Sequence, residues 1–372
     1  MNIAIVYGGK SSEHEVSLRS ASAVVRNIDE KKHNISLFGI TKEGRWYLQS
    51  KTELDRIKSN PEAILTIKEN PDMVVSVVPG GGTEGGFIVL GSSFGAKTIP
   101  VDVVFPVLHG TFGEDGTAQG MFEMAGVPYV GGGVMASSVS MDKEKTKQIW
   151  MHASLPVVPF VCMRRREYND EGVRMQIIKN VERDFNFPVF VKPCCAGSSV
   201  GATKAKDAVG LLASLKEAFE WDDKVLIEPF IEAREIECSV TGNEVVTAYT
   251  PGEIVPSHDF YDYEAKYTDP NGAALLIPAE LDDVDLRRGR ETAIKAYQAL
   301  DLTGLSRVDF FIDKRSGALY LNEVNTIPGF TSISMFAKMC EASGLHYPQL
   351  IETLIKLADE RAKSRRQLKT SR

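Results

Sequence analysis

Four side chains able to hold a cation or a phosphate recur at close spacing near the C-terminus. Arg307 and Asp309 lie in Leu305-Ser-Arg-Val-Asp-Phe-Phe-Ile312, and Glu323 and Asn325 in Leu319-Tyr-Leu-Asn-Glu-Val-Asn325. Both runs are apolar and strand-forming and flank Lys314-Arg-Ser-Gly317, so the spacing predicts a β-hairpin. Alternation with period two puts Arg307 and Asp309 on one face, and Glu323 and Asn325 on one face of the partner strand. A plain four-residue turn would set Asp309 opposite Asn322. One extra residue near Gly317, a glycine bulge, would bring Asp309 level with Glu323. Two carboxylates and an amide are hard oxygen donors of the kind Mg²⁺ takes while sharing phosphate oxygens. The alternative is an exposed edge hairpin with a salt bridge from Arg307. Charges set among Val, Phe, Ile and Leu without partners would be costly, which counts against it.

A second constellation is Val191-Lys192-Pro followed by Gly197-Ser-Ser-Val-Gly201. A lysine at a strand end and a loop of small residues can bring an ammonium and several backbone N–H groups to phosphates. The Walker pattern GxxxxGK[ST] is absent, and a tight turn beside a surface lysine is the alternative. Gly8-Gly-Lys-Ser-Ser-Glu13-His-Glu15-Val-Ser17 lacks GxGxxG and so does not support a dinucleotide cofactor. Ser11 and Ser12 can cap the helix that follows, with Glu15 favoured by its dipole. Glu13 is left as a candidate for holding a substrate ammonium group. His109 opens a glycine-rich loop, His109-Gly-Thr-Phe-Gly113-Glu-Asp-Gly116, at a strand's carboxyl end, where open α/β sheets bind ligands; a structural histidine is the alternative. Phe260-Tyr-Asp-Tyr-Glu-Ala-Lys266-Tyr267 falls in an irregular stretch that reads as a lid, or else as a surface cluster.

The elements that must position these groups are those of an α/β protein. Ile3–Tyr7 is a short apolar run ending at Gly8-Gly9, and Ser17–Ile28 carries apolar residues at helical spacing. Ile35–Ile40 and Val101–Val107 read as buried strands, with about 50–98 between them as an insertion bearing its own hairpin. Ala208–Trp221 reads as a helix, Met141–Ala153 as a basic one containing Lys143, Lys145 and Lys147, and Val225–Ile231 as a strand interrupted by Pro229, suggesting a hinge. With 372 residues, 43% hydrophobic, the chain is long enough for two or three domains. A net charge of −7 argues against nucleic acid. The five cysteines have no metal-ligand or framework spacing and read as reduced thiols. The lack of a leader-like start or an apolar run of spanning length predicts a cytoplasmic protein without a membrane partner.

Taken together, these residues resemble the D-alanine–D-alanine ligases of the ATP-grasp superfamily, from Ile3 to about Ala358. The resemblance rests on GGKSSEHEVS at 8–17, HGTFGEDGTAQG at 109–120, GVMASSVSMDK at 133–143, VKP…GSSVG at 191–201, YDYEAKY at 261–267, RVDFF at 307–311 and NEVNTIPGFTS at 322–332. It implies three α/β domains: an N-terminal substrate-binding domain over 1–133, a central ATP-grasp domain over 134–226 and a C-terminal one over 227–364. A lid would span about 256–272, and 365–372 would be a frayed tail.

The resemblance also implies roles. Lys143, Lys192, Ser198, Ser199 and Lys266 would meet ATP phosphates; Glu228, Phe230 and Ile231 would line the adenine pocket, and Glu235 would take the ribose. Asp309, Glu323 and Asn325 would bind two Mg²⁺ or Mn²⁺ ions. Glu13 and His109 would hold the first D-alanine and Ser334 the carboxylate of the second, while Arg307 and the Gly329 N–H stabilise the oxyanion. A Glu13–Ser198–Tyr267 triad would tie the N-terminal helix, the phosphate loop and the lid. The intact YEAKY favours the dipeptide product, for peptidoglycan precursors, over D-alanyl-D-lactate. A homodimer is implied. Cys194-Cys195-Ala196 departs from the small polar or glycine residues usual in that loop, and inert buried thiols are the expectation there. Another carboxylate–amine ligase and a nucleotide-binding regulator on the same fold are the competing readings.

Overall fold

The computed structural model describes residues 1–91, 93, 95–256, 273–331 and 333–369. Three sheets organise them. The first holds β1 (Asn2–Gly8), β2 (Asn34–Ile40), β3 (Trp46–Leu48), β4 (Val74–Val77), β5 (Phe87–Gly91), β6 (Gly95–Thr98) and β7 (Val103–Val107), in the order β6-β5-β4-β3-β2-β1-β7. β1 is parallel to both β2 and β7. A central parallel strand is covered on both faces, which is why its sequence is continuously apolar. Ile3, Ile5 and Tyr7 pack under the helix His14–Asn27 and against Leu350, Ile351 and Leu354 of the C-terminal helix Tyr347–Arg366, whereas Ala4 and Val6 join Phe38 and Phe122 on the other side. The segment at 50–98, read as an insertion with its own hairpin, adds β4, β5 and β6 antiparallel to one another and extends this same sheet through β3.

The N-terminal helix begins at His14, ahead of the apolar-spaced stretch Ser17–Ile28, with Glu15 in its first turn. Ser17 is inside the helix, and its hydroxyl has other work: Oγ accepts the Gly8 N–H at 2.7 Å and donates to the Val107 carbonyl, so one buried hydroxyl joins β1 to β7.

The second sheet is fully antiparallel, with β8 (Val161–Arg164), β9 (Val189–Pro193), β10 (Thr203–Ala205) and β11 (Lys224–Pro229) in the order β10-β9-β11-β8. The helices Glu171–Phe185 and Ala208–Trp221 cover it with Ile178, Val181, Leu211 and Leu215. Pro229, which lacks an N–H, ends β11.

The third sheet holds β12 (Ala233–Gly242), β13 (Val246–Ala248), β14 (Gly252–Pro256), β15 (Ala273–Leu276), β16 (Gly304–Asp313) and β17 (Leu319–Asn325), ordered β15-β14-β12-β16-β17 with β13 beside β12. Its core takes Ala293, Ala296 and Tyr297 from the helix Asp283–Ala299. It also takes Ala136 and Trp150 from the helices Val134–Met141 and Lys143–His152. Both helices therefore lean on the third sheet, and Lys143–His152 reaches across to the second sheet and its loop with Lys143 and Lys147.

The predicted hairpin is β16–β17. Arg307 faces Asn325 and Asp309 faces Glu323, as the chemistry requires, but the extra residue is not near Gly317. Phe310 pairs with Leu321 and Asp309 with Glu323, so the register shifts at Asn322, and the turn itself is a plain four-residue one closed by Gly317 N–H to the Asp313 carbonyl at 2.8 Å. Gly317, at φ +69°, serves the turn rather than the bulge. Asn322 is extruded beside the site and turned toward β9, where its Oδ1 accepts from the Lys192 ammonium at 2.9 Å.

Candidate active site

A cavity of about 1570 Å³ opens between the three sheets, and Glu13, His109, Lys143, Lys192, Ser198, Glu228, Arg307, Asp309, Glu323, Asn325 and Ser334 all line it. Residues up to 321 positions apart in the sequence thus meet in one place.

One end is cationic. Lys143 starts its helix after Asp142, whose side chain accepts from the Lys145 N–H. The Lys143 ammonium donates to the Ala196 carbonyl at 2.7 Å and stands 3.3 Å from Glu323. Burial opposes its charge, but Glu323 outweighs burial and raises its pKa. Lys192, at the end of β9, ion-pairs with Glu228 of β11 at 2.7 Å, and Lys147 pairs with the other oxygen of the same carboxylate, also at 2.7 Å. Burial disfavours the Glu228 anion, yet the two lysines hold its pKa below the usual carboxylate value. Between Lys192 and Gly201 the loop carries Ser198 at φ +52° and Ser199 at φ +60°. Left-handed backbone at two non-glycine residues is uncommon and gathers N–H groups into an anion-binding concavity. Glu235, Phe230 and Ile231 line the same end, with the Lys204 ammonium 3.3 Å from the centre of the Phe230 ring.

Cys194 is buried and its thiol pKa is raised, first by the neighbouring Cys162 thiol and then by burial, as expected of an inert thiol. Cys195 is exposed, against the expectation that both would be enclosed.

The middle of the cavity holds the carboxylates. Arg307 grips Asp309 through two hydrogen bonds, Nε to Oδ1 at 2.7 Å and Nη2 to Oδ2 at 2.6 Å, and lies 3.0 Å from Glu237. Asn325 donates to Asp309 Oδ2 at 2.9 Å. The donor set, two carboxylates level across antiparallel strands plus an amide oxygen, is chemically suited to Mg²⁺. Glu237 adds a third carboxylate directly opposite Asp309 on β12.

The other end is smaller. The Ser198 hydroxyl donates to Glu13 Oε1 at 2.5 Å, which joins two members of the expected triad. Tyr267 and Lys266, with the lid expected at about 256–272, lie outside the described residues beyond Pro256. His109 is buried with both ring nitrogens engaged, Nδ1 with the Ile327 carbonyl at 2.8 Å and Nε2 with Ser20 Oγ at 3.1 Å. Ser20 Oγ also accepts the Phe330 N–H at 3.2 Å. Burial lowers the histidine pKa and keeps the ring neutral. His109 thus both lines the cavity and ties its loop to Ile327 and Ser20. Gly329 is tightly confined, since a Cβ there would come 2.9 Å from Ser334 Oγ. Ser334 Oγ in turn accepts the Thr331 N–H at 3.0 Å.

Sequence reasoning passed over three groups. Glu114 accepts from the Gly110 and Ile327 N–H groups, each at 2.8 Å, bridging the histidine loop and the Gly329 loop. It sat within a quoted motif, but nothing in the spacing revealed its partners. Glu237 follows Glu235 by two on a strand and so shares its face. Lys147 follows Lys143 by one helical turn, the spacing that should have flagged it.

Two antiparallel sheets that close on paired lysines and a carboxylate hairpin define the ATP-grasp class of nucleotide-dependent enzymes. Family models described as D-ala D-ala ligase N-terminus and C-terminus match residues 2–132 and 149–356. The chain belongs to the D-alanine–D-alanine ligase family. It is 59% identical to a D-alanine–D-alanine ligase of Treponema denticola over the full length of both chains. Among solved structures, the D-alanine–D-alanine ligase of Coxiella burnetii superposes with a TM-score of 0.82 at 33% identity, covering 99% of this chain and 96% of its own. The VanG D-Ala:D-Ser ligase of Enterococcus faecalis gives 0.81 at 38% identity, covering 96% and 99%.

Proposed function

We propose that this protein joins two D-alanine molecules at the expense of ATP. The carboxylate of the first attacks the γ-phosphate to give an acyl phosphate and ADP. The amine of the second then attacks the acyl carbonyl, and the tetrahedral intermediate expels phosphate. The observation that carries this reading is the single cavity in which a lysine-lined end, a carboxylate hairpin and the Glu13–Ser198 pair adjoin.

Within this reading, Lys143, Lys192 and the N–H groups around Ser198 and Ser199 bind the phosphates, and Lys266 approaches them from the lid. Glu228, Phe230 and Ile231 enclose the adenine, and Glu235 meets the ribose. Glu13 takes the first ammonium group, oriented by Ser198 and Tyr267, and Ser334 takes the second carboxylate. His109 acts through the loop it ties to Ile327 and Phe330. Arg307 and the Gly329 N–H oppose the developing oxyanion, where preorganised donors are most effective. Asp309, Glu323 and Asn325 would hold two Mg²⁺ or Mn²⁺ ions, which offset charge repulsion between carboxylate and phosphate.

The division at 133 and 226, a homodimeric state and a cytoplasmic role in peptidoglycan precursor synthesis complete the reading. Among the described residues, no helix is long and apolar enough to cross a membrane.

The test is phosphate release from ATP and Mg²⁺ with D-alanine alone, with L-alanine, and with D-alanine plus D-lactate or D-serine. Release with D-alanine alone, with D-alanyl-D-alanine as product, is expected. ATP binding without phosphate release would leave a nucleotide-binding regulator. A mixed product formed in preference to the dipeptide would reassign the second substrate.

A further inference from the structure

Glu228 is a buried carboxylate with a lysine on each oxygen: Lys147 on Oε1 and Lys192 on Oε2. One cation would neutralise it. With both lysines protonated the trio is net positive, and Lys147 is wholly enclosed, its pKa lowered to about 8 by burial against the pull of Glu228. Burying an extra cation costs stability, and a second lysine on one carboxylate is not needed for neutralisation. The two lysines also differ in position. Lys192 lines the cavity and is further held by Asn322, whereas Lys147 sits behind Glu228, with the Phe160 ring centre 6.0 Å from its ammonium.

We propose that Lys147 is a positioning residue for nucleotide binding: it neutralises Glu228 from behind and so leaves the Lys192 ammonium uncompensated toward the ATP phosphates. Without Lys147, the Lys192–Glu228 pair is neutral overall and its field at the phosphates largely cancels. Asn322 fixes the Lys192 ammonium from the third sheet, so charge and direction are set by different elements. The inference rests on the reading that Lys192 meets the phosphates.

The test compares equilibrium affinities for ATP and for adenosine, which shares the base and ribose but has no phosphate. In Lys147→Met, ATP affinity is expected to fall about tenfold while adenosine affinity stays within about twofold. Equal losses of both, or no loss of ATP, would overturn the proposal, since a merely structural lysine would not change the ratio. Removing the carboxylate as well, in Lys147→Met/Glu228→Gln, is expected to restore the ATP-to-adenosine ratio to that of Glu228→Gln alone. A selective ATP loss persisting in the double variant would mean that Lys147 does not act through Glu228. The double variant also serves if the single one does not fold, because a buried pair removed together is tolerated better than half of it. Lys192→Met separates the two levels. If it leaves ATP binding intact, the reading of Lys192 fails. If it weakens ATP binding and Lys147→Met does not, only this inference fails.

Discussion

Glu13 and Ser198 touch at 2.5 Å across 185 residues of chain, so the start of the N-terminal helix and the phosphate loop of the second sheet share one hydrogen bond. In the proposed reading, this bond ties the loop around Ser198 to the carboxylate that would take the first ammonium group. Glu13→Gln is expected to raise the KM for the first D-alanine and to lower kcat/KM by about 100-fold, the scale of losing a charge-assisted contact. Ser198→Ala should cost less, about tenfold, because the carboxylate remains. Steady-state phosphate release with D-alanine varied at saturating ATP checks both; an unchanged KM in Glu13→Gln would remove Glu13 from the substrate site.

Asn322 reaches Lys192 only because it is bulged. Asn322→Ala is expected to leave the fold intact and to raise the KM for ATP about tenfold, the lower end of the value of one hydrogen bond to a charged group. Deleting Asn322 is a different change. It closes the bulge and leaves Glu323 opposite Asp309 in a regular ladder, so activity should fall no further than in Asn322→Ala. Activity assays together with circular dichroism distinguish loss of the site from loss of the fold.

The carboxylate hairpin predicts a divalent-ion requirement. Chelation should eliminate activity, and Mg²⁺ or Mn²⁺ should restore it. Asp309→Asn is expected to raise the Mg²⁺ concentration for half-activity about tenfold or more, since a charged hard ligand is lost. If Asp309→Asn behaved as wild type in a Mg²⁺ titration, Asp309 would be no more than the anchor of Arg307.

Glu114 gives a pH-dependent term. Burial, and then the nearby Glu13 charge, push its carboxyl up to about 7. The folded pKa lies above the unfolded one, so the stability this group contributes is full below about pH 4.5 and is lost as pH rises through 7. The shift corresponds to about 3 kcal/mol. Solvent at its exposed edge reduces this to on the order of 2 kcal/mol. Denaturant midpoints measured from pH 4 to 8 should fall less steeply for Glu114→Gln than for the wild-type chain. Identical slopes would place the Glu114 pKa near its unfolded value.

What was legible from the sequence divides along a physical line. Helix Ala208–Trp221 and the strand core of β1 follow from local periodicity and were readable to the residue or nearly so. The facing of Asp309 and Glu323 was also readable, because chemistry demanded it. The mechanism of that facing was not: glycine near a turn is a local cue, whereas the bulge at Asn322 is set by what β17 meets across the cavity. That the Ser17 hydroxyl, inside the helix, joins two strands is carried by no local pattern. The hairpin expected within 50–98 is present as β4 and β5, but short antiparallel edge strands carry no sign of which sheet they will join. His109 illustrates the remaining gap. Its loop was recognisable, but its two partners, Ser20 and Ile327, are remote in sequence.

The position of the bulge also decouples the hairpin's tip from its base. Three paired rungs, Phe310–Leu321, Phe311–Tyr320 and Ile312–Leu319, separate Asn322 from the exposed turn at Lys314–Gly317. Register at the carboxylates is therefore corrected locally, downstream of whatever the turn does. A short peptide inserted between Arg315 and Ser316 is therefore expected to leave the Asp309–Glu323 pairing in place, provided the Lys314 bond to the Glu232 carbonyl is kept.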